Sequence, residues 1–280
     1  MRWTSRGRSR HVEDRRGQRA GSGLRRVAPI GLGGLAVLLV LSLITGQDFL
    51  SMADPADGDV GLEQPAGPAG PVSPEEERLV DFISFVLDDA QETWMALLGD
   101  RYQPAHLVLF TDAVESACGF AQAATGPFYC PPDQRVYIDV AFYRELRQRF
   151  GAPGDFAQAY VLAHEIGHHV QNLLGTEGQM RRAQQGNPGL ANELSVRLEL
   201  QADCYAGVWG YATAERGILE QGDVEEGLNA AAAIGDDRIQ RMSGTRVAPD
   251  QFTHGSSAQR VEWFRRGLQS GDPAACDTFR

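Results

Sequence analysis

Residues 160–175, YVLAHEIGHHVQNLLG, decide both the fold and the chemistry of this 280-residue chain. They contain His164, Glu165 and His168 in the pattern H-E-x-x-H, inside a run that is typical of a buried helix. Residues four apart lie on one face of a helix, so the two imidazoles can bind one ion while Glu165 lies beside them as a general base. The pattern therefore predicts a helix over 155–174 that carries a catalytic metal site.

A second segment, 195–209 (SVRLELQADCYAGVW), provides the third protein ligand that a catalytic zinc requires. Glu199 lies in an apolar helical context, where a carboxylate is unfavourable unless a cation compensates it. Asp203 follows one turn later and can fix the tautomer of a ligating histidine by accepting its N–H. The alternative places both acids on a solvated helix face, which the apolar neighbours disfavour. We therefore expect one Zn2+ held by His164, His168 and Glu199.

A donor for the charge that develops on a substrate carbonyl is expected in 252–264, FTHGSSAQRVEWF. His254 is the candidate, with Arg260 as its support. The alternative is that His254 only begins the last helix. His169 follows the H-E-x-x-H motif but lies roughly 100° around the helix from His168. We expect His169 to be a packed or surface residue rather than a ligand.

These motifs resemble those of the Glu-zincin metallopeptidases, and more closely the bacterial family called putative neutral zinc metallopeptidases. The similar segments are MRW…VEDRRG, ATGPFYCP, VLAHEIGHHVQ, RLELQADCYAGVW and THGSSAQR, which extend over nearly the whole chain. The resemblance implies a zincin-like fold with zinc ligands at His164, His168 and Glu199. It also implies a peptidase in which Glu165 activates a zinc-bound water, and it leaves the substrate open.

The remaining pattern predicts an α+β domain over 74–280 that is mainly helical with a small sheet. Apolar spacing after the helix-start signal at Ser73 predicts a helix over 74–98. Short β-branched and aromatic runs predict strands at 106–112 and 135–140, separated by a Gly/Pro-rich loop at 118–133. By analogy with zincins, strand 135–140 is the expected substrate-lining edge. Further helices are predicted at 141–150, 155–174, 188–216, 223–242 and 256–270.

The chain has four cysteines, and their even number favours two disulfides in an exported domain. Cys118 and Cys130 share one loop and are expected to pair, which leaves Cys204 to pair with Cys276. The alternative is that all four are buried free thiols, as is normal in a cytosolic protein.

The first 47 residues predict a membrane anchor. Residues 1–26 carry nine arginines against two acids, and residues 27–47 carry no charge. A helix of that length spans about 30 Å, the thickness of a bilayer core. The positive-inside rule then predicts a cytoplasmic head at 1–26, one transmembrane helix at 27–47, and an extracytoplasmic catalytic domain. Residues 48–73 are rich in Pro, Gly and Ala and predict a linker.

Two other interpretations of residues 27–47 stay open at this point. One is a signal peptide cleaved near 51–53, where Ser51-Met52-Ala53 loosely fits the small-x-small pattern. The other is a buried core helix, which the lack of an amphipathic stripe disfavours.

Charge and motif together narrow the class of partner. After residue 26 the chain has 17 arginines against 35 acids, which disfavours nucleic acid as a partner. We expect a peptide or protein substrate. Two rival hypotheses are a deformylase-like metallohydrolase with Cys118 as the third ligand, and a zinc-stabilised binding or scaffold module without turnover.

Overall fold

The computed structural model describes residues 1–17, 73–122 and 126–279. These residues form a mainly helical α+β structure with a small sheet, which confirms that part of the predicted fold class. The α-helices are α1 (Pro74–Leu98), α2 (Ala141–Gln148), α3 (Asp155–Leu174), α4 (Thr176–Gly186), α5 (Ala191–Glu215), α6 (Asp223–Ala233), α7 (Asp236–Met242) and α8 (Ser257–Ser270).

The predicted transmembrane helix at 27–47 lies outside the described residues, and so does the predicted linker 48–73 except for Ser73. Among the helices that the structure describes, none combines the length and the apolar character that crossing a bilayer requires. The helix-start signal at Ser73 is present as a capping box, in which the Ser73 side chain accepts the backbone N–H of Glu76 at 3.1 Å.

The larger sheet of the described residues has the strand order β1-β2-β6-β5. Its β1–β2 and β2–β6 pairs are parallel, whereas β5 runs antiparallel to β6. A separate antiparallel hairpin joins β3 to β4. The strands are β1 (Val12–Asp14), β2 (His106–Phe110), β3 (Ala113–Ser116), β4 (Gly119–Gln122), β5 (Phe128–Cys130) and β6 (Arg135–Asp139).

This topology corrects two predictions. The segment 135–140 was expected to be an edge strand, but β6 lies between β2 and β5, so among the described strands the edge next to it is β5. The segment 118–133 was expected to be a loop, yet it contains β4 and β5. Both strands are only three or four residues long and contain Gly or lie beside Pro, so pairing with neighbours rather than their own propensity forms them.

The predicted basic head 1–26 is described as far as residue 17. Residues Met1–Arg16 belong to the same compact unit as the residues from 73 onward. Strand β1 has the sequence VED, which carries no strand signal of its own, and it forms by pairing in parallel with β2.

Two helix boundaries differ from the sequence pattern for identifiable reasons. The predicted helix 223–242 is broken at Gly235, whose backbone is extended and where an added Cβ would lie 2.3 Å from the backbone N of Ser257. The predicted helix at 188–216 begins at Ala191, and helix α4 before it was not predicted. The composition of α4 is polar, so it lacks the apolar period by which a helix is recognised.

Close helix contacts fix the position of α5. At Gly167 of α3 an added Cβ would lie 2.9 Å from the carbonyl O of Ala202 in α5. Where α5 meets α8, an added Cβ at Gly207 would lie 2.1 Å from the carbonyl O of Phe264, and one at Gly267 would lie 1.9 Å from that of Cys204. Glycines at these positions allow the three helix backbones to approach one another directly.

The predicted disulfide pairing is confirmed. Cys118 pairs with Cys130 across Cα atoms 5.8 Å apart, and Cys204 pairs with Cys276 across 5.5 Å. The first bond ties edge strand β5 to the β3–β4 hairpin, and the second ties α5 to the C-terminal 3-10 turn.

Candidate metal centre

Helices α3 and α5 bring together the three residues that the sequence predicts as metal ligands. His164 Nε2 lies 3.2 Å from one carboxylate oxygen of Glu199, and His168 Nε2 lies 3.4 Å from the other. The three ligating atoms all lie within 4.8 Å of one another. Because Gly167 lies between the two histidines on α3, the backbone of α5 approaches closely enough for Glu199 to reach both rings.

Hydrogen bonds on the far side of each ring set the direction of the ligating nitrogens. His164 donates its Nδ1–H to Asp203 Oδ1 at 2.9 Å, and His168 donates its Nδ1–H to Gln171 Oε1 at 2.8 Å. The Gln171 amide is itself fixed, since it donates to the carbonyl O of Leu198 at 2.7 Å. The Nε2 atom of each ring is thereby directed towards Glu199 and is the nitrogen that would bind an ion.

This donor set fits zinc. Two imidazole nitrogens and one carboxylate are ligands that catalytic zinc sites use, with the fourth position left for water or substrate. The contact of Gln171 with His168 was not predicted from the sequence, although its position three residues after His168, on the same helix face, is a signal that indicates it.

Arg260 has a different partner from the one that the sequence predicts. It was predicted to support His254, but its Nε and Nη2 donate to the two oxygens of Asp203 at 2.8 and 2.9 Å. Tyr160 also donates its hydroxyl to Asp203. Burial alone would raise the pKa of Asp203. The guanidinium of Arg260 and the ring of His164 outweigh this effect and hold that pKa below its usual value. Asp203 thus stays ionised and anchors the ring of His164.

Glu165 lies beside the ligand set and is not one of the three residues whose ligating atoms converge. Its side chain is buried next to the ligand set, and this burial raises the pKa of its carboxyl group. It lines the same cavity as the two histidines and Glu199. A base with a raised pKa holds a proton more readily near neutral pH, which is what a general acid–base residue requires.

His254 is held by Asp236, the first residue of α7. One oxygen of Asp236 accepts the backbone N–H groups of Thr253, His254 and Gly255 at 2.8, 2.7 and 3.0 Å. The other lies 3.2 Å from Nδ1 of His254. This hydrogen bond raises the pKa of His254, although burial opposes the shift. The side chain lines the metal cavity while remaining half exposed, so it can meet a substrate.

His169 lies in the core and away from the ligands. Its Nε2–H donates to the carbonyl O of Gln103 at 2.6 Å, and its Nδ1 accepts the hydroxyl of Tyr129 at 3.0 Å. Burial lowers its pKa and keeps the ring neutral. Both ring nitrogens of His169 therefore form hydrogen bonds within the protein.

A cavity of about 750 Å3 lies over the ligand set. Strand β5 contributes Phe128 and Tyr129 to its lining, and α2 and α7 contribute Phe142, Glu145 and Ile239. Cys118, the third ligand in the deformylase-like hypothesis, is bonded to Cys130 and has no free thiol for a metal. Besides the residues already described, the lining includes Gly126, Pro127, Pro131, Arg149, Phe150, Val161, Glu177, Leu198 and Ile234.

The profile of the family described as Putative neutral zinc metallopeptidase matches residues 1–279. The chain belongs to that family. This membership confirms the resemblance inferred from the motifs, and it agrees with the donor set found between α3 and α5. The family's description implies zinc and a peptidase.

Individual relatives were found as well. The chain is 46% identical to the Escherichia coli K12 protein named Uncharacterized protein YpfJ, over all of this chain and 99% of that one. It is 49% identical to the Mycobacterium tuberculosis H37Rv protein named Uncharacterized protein Rv2575, over 66% of each. No solved structure matches the chain.

Proposed function

We propose that this protein is a zinc-dependent peptidase, with the ion held by His164, His168 and Glu199 and with Glu165 as the general acid–base residue. The observation that carries the proposal is that the two Nε2 atoms and the Glu199 carboxylate converge, beside a buried Glu165, under one open cavity. Zinc bound there would polarise the scissile carbonyl and make water nucleophilic at neutral pH.

Side chains of the protein transfer the proton, stabilise the developing charge and hold the ligating rings. A carboxylate oxygen of Glu165 takes a proton from the attacking water and later delivers it to the leaving amine nitrogen. His254, held through Nδ1 by Asp236, donates to the oxygen of the carbonyl as negative charge develops on it. Asp203 and Gln171 keep the two ligating rings in place during the reaction.

Edge strand β5 supports a peptide as the substrate. Its one pairing among the described strands is with β6, and its residues Phe128 and Tyr129 line the cavity. An extended peptide can add to such an edge through backbone hydrogen bonds, which do not depend on side-chain identity. Phe142, Phe150, Ile234 and Ile239 also line the cavity, and these apolar side chains favour an apolar side chain on the substrate.

Replacement of Glu165 by glutamine tests the proposal, because glutamine keeps the size of the side chain but cannot accept the proton. We expect the Glu165→Gln variant to retain its zinc, measured by elemental analysis, and to lose cleavage of a mixed peptide library. Glu145→Gln is the matched control, since Glu145 lines the same cavity but pairs with Arg149.

Equal cleavage by wild type and Glu165→Gln would contradict the assigned role of Glu165. Zinc binding by the wild type with no cleavage of any peptide would instead support a binding or scaffold module. Loss of zinc on replacing Cys118, with zinc retained on replacing Glu199, would favour the deformylase-like arrangement.

A further inference from the structure

The described residues on either side of 18–72 form part of one sheet. Strand β1 pairs in parallel with β2, with Val12 opposite Leu107 and Asp14 opposite Leu109. Two further backbone hydrogen bonds, from Leu107 N–H to the carbonyl O of His11 and from Arg15 N–H to that of Leu109, are both 2.8 Å long. The N-terminal residues are therefore hydrogen-bonded directly to the domain that carries the metal site.

Ion pairs join the same two parts of the chain. Glu77, in the first turn of α1, accepts hydrogen bonds from Arg8 at 2.9 Å and from Arg16 at 2.8 Å. Both arginines also bond to Asp14 at 2.8 Å, and the side chain of Arg16 is only 6% exposed. These arginines belong to the basic cluster on which the predicted orientation rested, so part of that charge is already neutralised within the domain.

Apolar contacts complete the junction. The ring of Trp3 packs against Phe82 and Phe85 of α1, with ring centroids 5.2 and 6.2 Å apart. The side chain of Met1 is buried in the main hydrophobic core. A contact that combines strand pairing, ion pairs and core packing is the interior of a domain rather than a transient docking surface.

We infer that residues 1–16 and residues 73–279 lie on the same side of any membrane that this protein meets. A bilayer core is about 30 Å thick, and it cannot separate groups that hydrogen-bond at 2.8 Å. A chain that leaves this unit after Arg16 and re-enters it at Ser73 returns to the side from which it started. The uncharged residues 27–47 consequently do not place a cytoplasmic head opposite an extracytoplasmic domain.

Labelling of single introduced cysteines tests this arrangement in the full-length chain. Thr4 and Gln148 are exposed residues of the head and of α2, and the native cysteines are all in disulfides. Cells that produce the Thr4→Cys or the Gln148→Cys variant are treated with a membrane-impermeant maleimide before and after permeabilisation. Cells that produce the unsubstituted chain give the background labelling. We expect both thiols to label in intact cells, or both only after permeabilisation. Labelling of one in intact cells and of the other only after permeabilisation would overturn the inference.

A charge reversal tests the junction itself, independently of any peptidase activity. Glu77→Arg replaces the acceptor of two ion pairs with a like charge, whereas Glu92→Arg makes the same change at an exposed position of the same helix. We expect Glu77→Arg to lower the melting temperature of the purified full-length protein and to expose the bond after Arg16 to trypsin. Equal melting temperatures and equal trypsin cleavage for the two variants would show that the head is not docked, and would overturn the inference.

Discussion

Replacing Gly167 by alanine should weaken zinc binding although residue 167 is not a ligand. The added Cβ would lie 2.9 Å from the carbonyl O and 3.1 Å from the Cα of Ala202, both backbone atoms that cannot rotate away. Normal contact requires α3 and α5 to separate by about 0.5 Å. Metal–ligand distances are held within about 0.2 Å, so that shift takes Glu199 out of reach of the two imidazoles.

The expected magnitudes follow from this overlap. Overpacking of this kind lowers the free energy of unfolding by about 1–3 kcal/mol. Zinc affinity should fall at least about tenfold, which corresponds to about 1.4 kcal/mol. Thermal unfolding with and without zinc measures the first quantity, and competition with a chromophoric chelator measures the second.

The control is Gly178→Ala in α4, where the nearest atom to an added Cβ is the flexible Arg182 guanidinium at 3.6 Å. Alanine there should be neutral or should stabilise the helix by up to about 1 kcal/mol. If Gly167→Ala unfolds and binds zinc as Gly178→Ala does, the close approach of α3 and α5 does not determine the metal site.

Three further outcomes are expected. Replacing Cys204 and Cys276 together by serine should lower the free energy of unfolding by about 4 kcal/mol, because the bond closes a 72-residue separation; chemical denaturation measures the loss. The hydrogen bond from Arg16 lowers the pKa of Asp14 in the folded protein below its value in the unfolded chain. The ionised Asp14 therefore stabilises the fold fully above about pH 4, and this stabilisation is lost as the pH falls through the folded-state pKa of Asp14. In melting curves from pH 7 to pH 3, Asp14→Asn should therefore show a smaller loss of stability than wild type. His254→Ala should keep its zinc and melting temperature but lose about 100- to 1000-fold in kcat; an unchanged kcat would remove His254 from the reaction.

The metal centre could be predicted from the sequence wherever its geometry is local. His164 and His168 are related by helical spacing, and Glu199 is an acid between Leu198 and Leu200 in a helix whose middle turns are largely apolar. The hydrogen bond between Asp236 and His254 joins residues 18 positions apart that lie on either side of a helix boundary, so no local sequence pattern predicts it. The same is true of Arg260, for which adjacency in sequence suggested His254 although packing of α8 on α5 gives it Asp203.

The sheet was harder to predict than the helices, for a related reason. Strands β1 and β5 are three residues each and take their conformation from partners that lie elsewhere in the chain. Strand β1 consists of VED, in which two adjacent acids leave no alternation of apolar and polar residues. A basic segment followed by an uncharged run is the usual pattern of a membrane signal, and it does not indicate a folded segment. The pairing of β1 with β2 could therefore not be predicted from the sequence.

Helix α5 gathers an unusual share of these contacts within a few turns. Glu199 faces the metal, Asp203 bonds the ring of His164, Gly207 meets α8, and Trp209 donates to the buried Asp89 at 2.8 Å. Inserting or deleting one residue between positions 199 and 209 would rotate everything downstream by roughly 100° and misdirect the metal ligand or the core. The length of this stretch is therefore fixed by geometry, whereas a change of length in the exposed turn at 187–190 would leave the alignment of these residues within α5 intact.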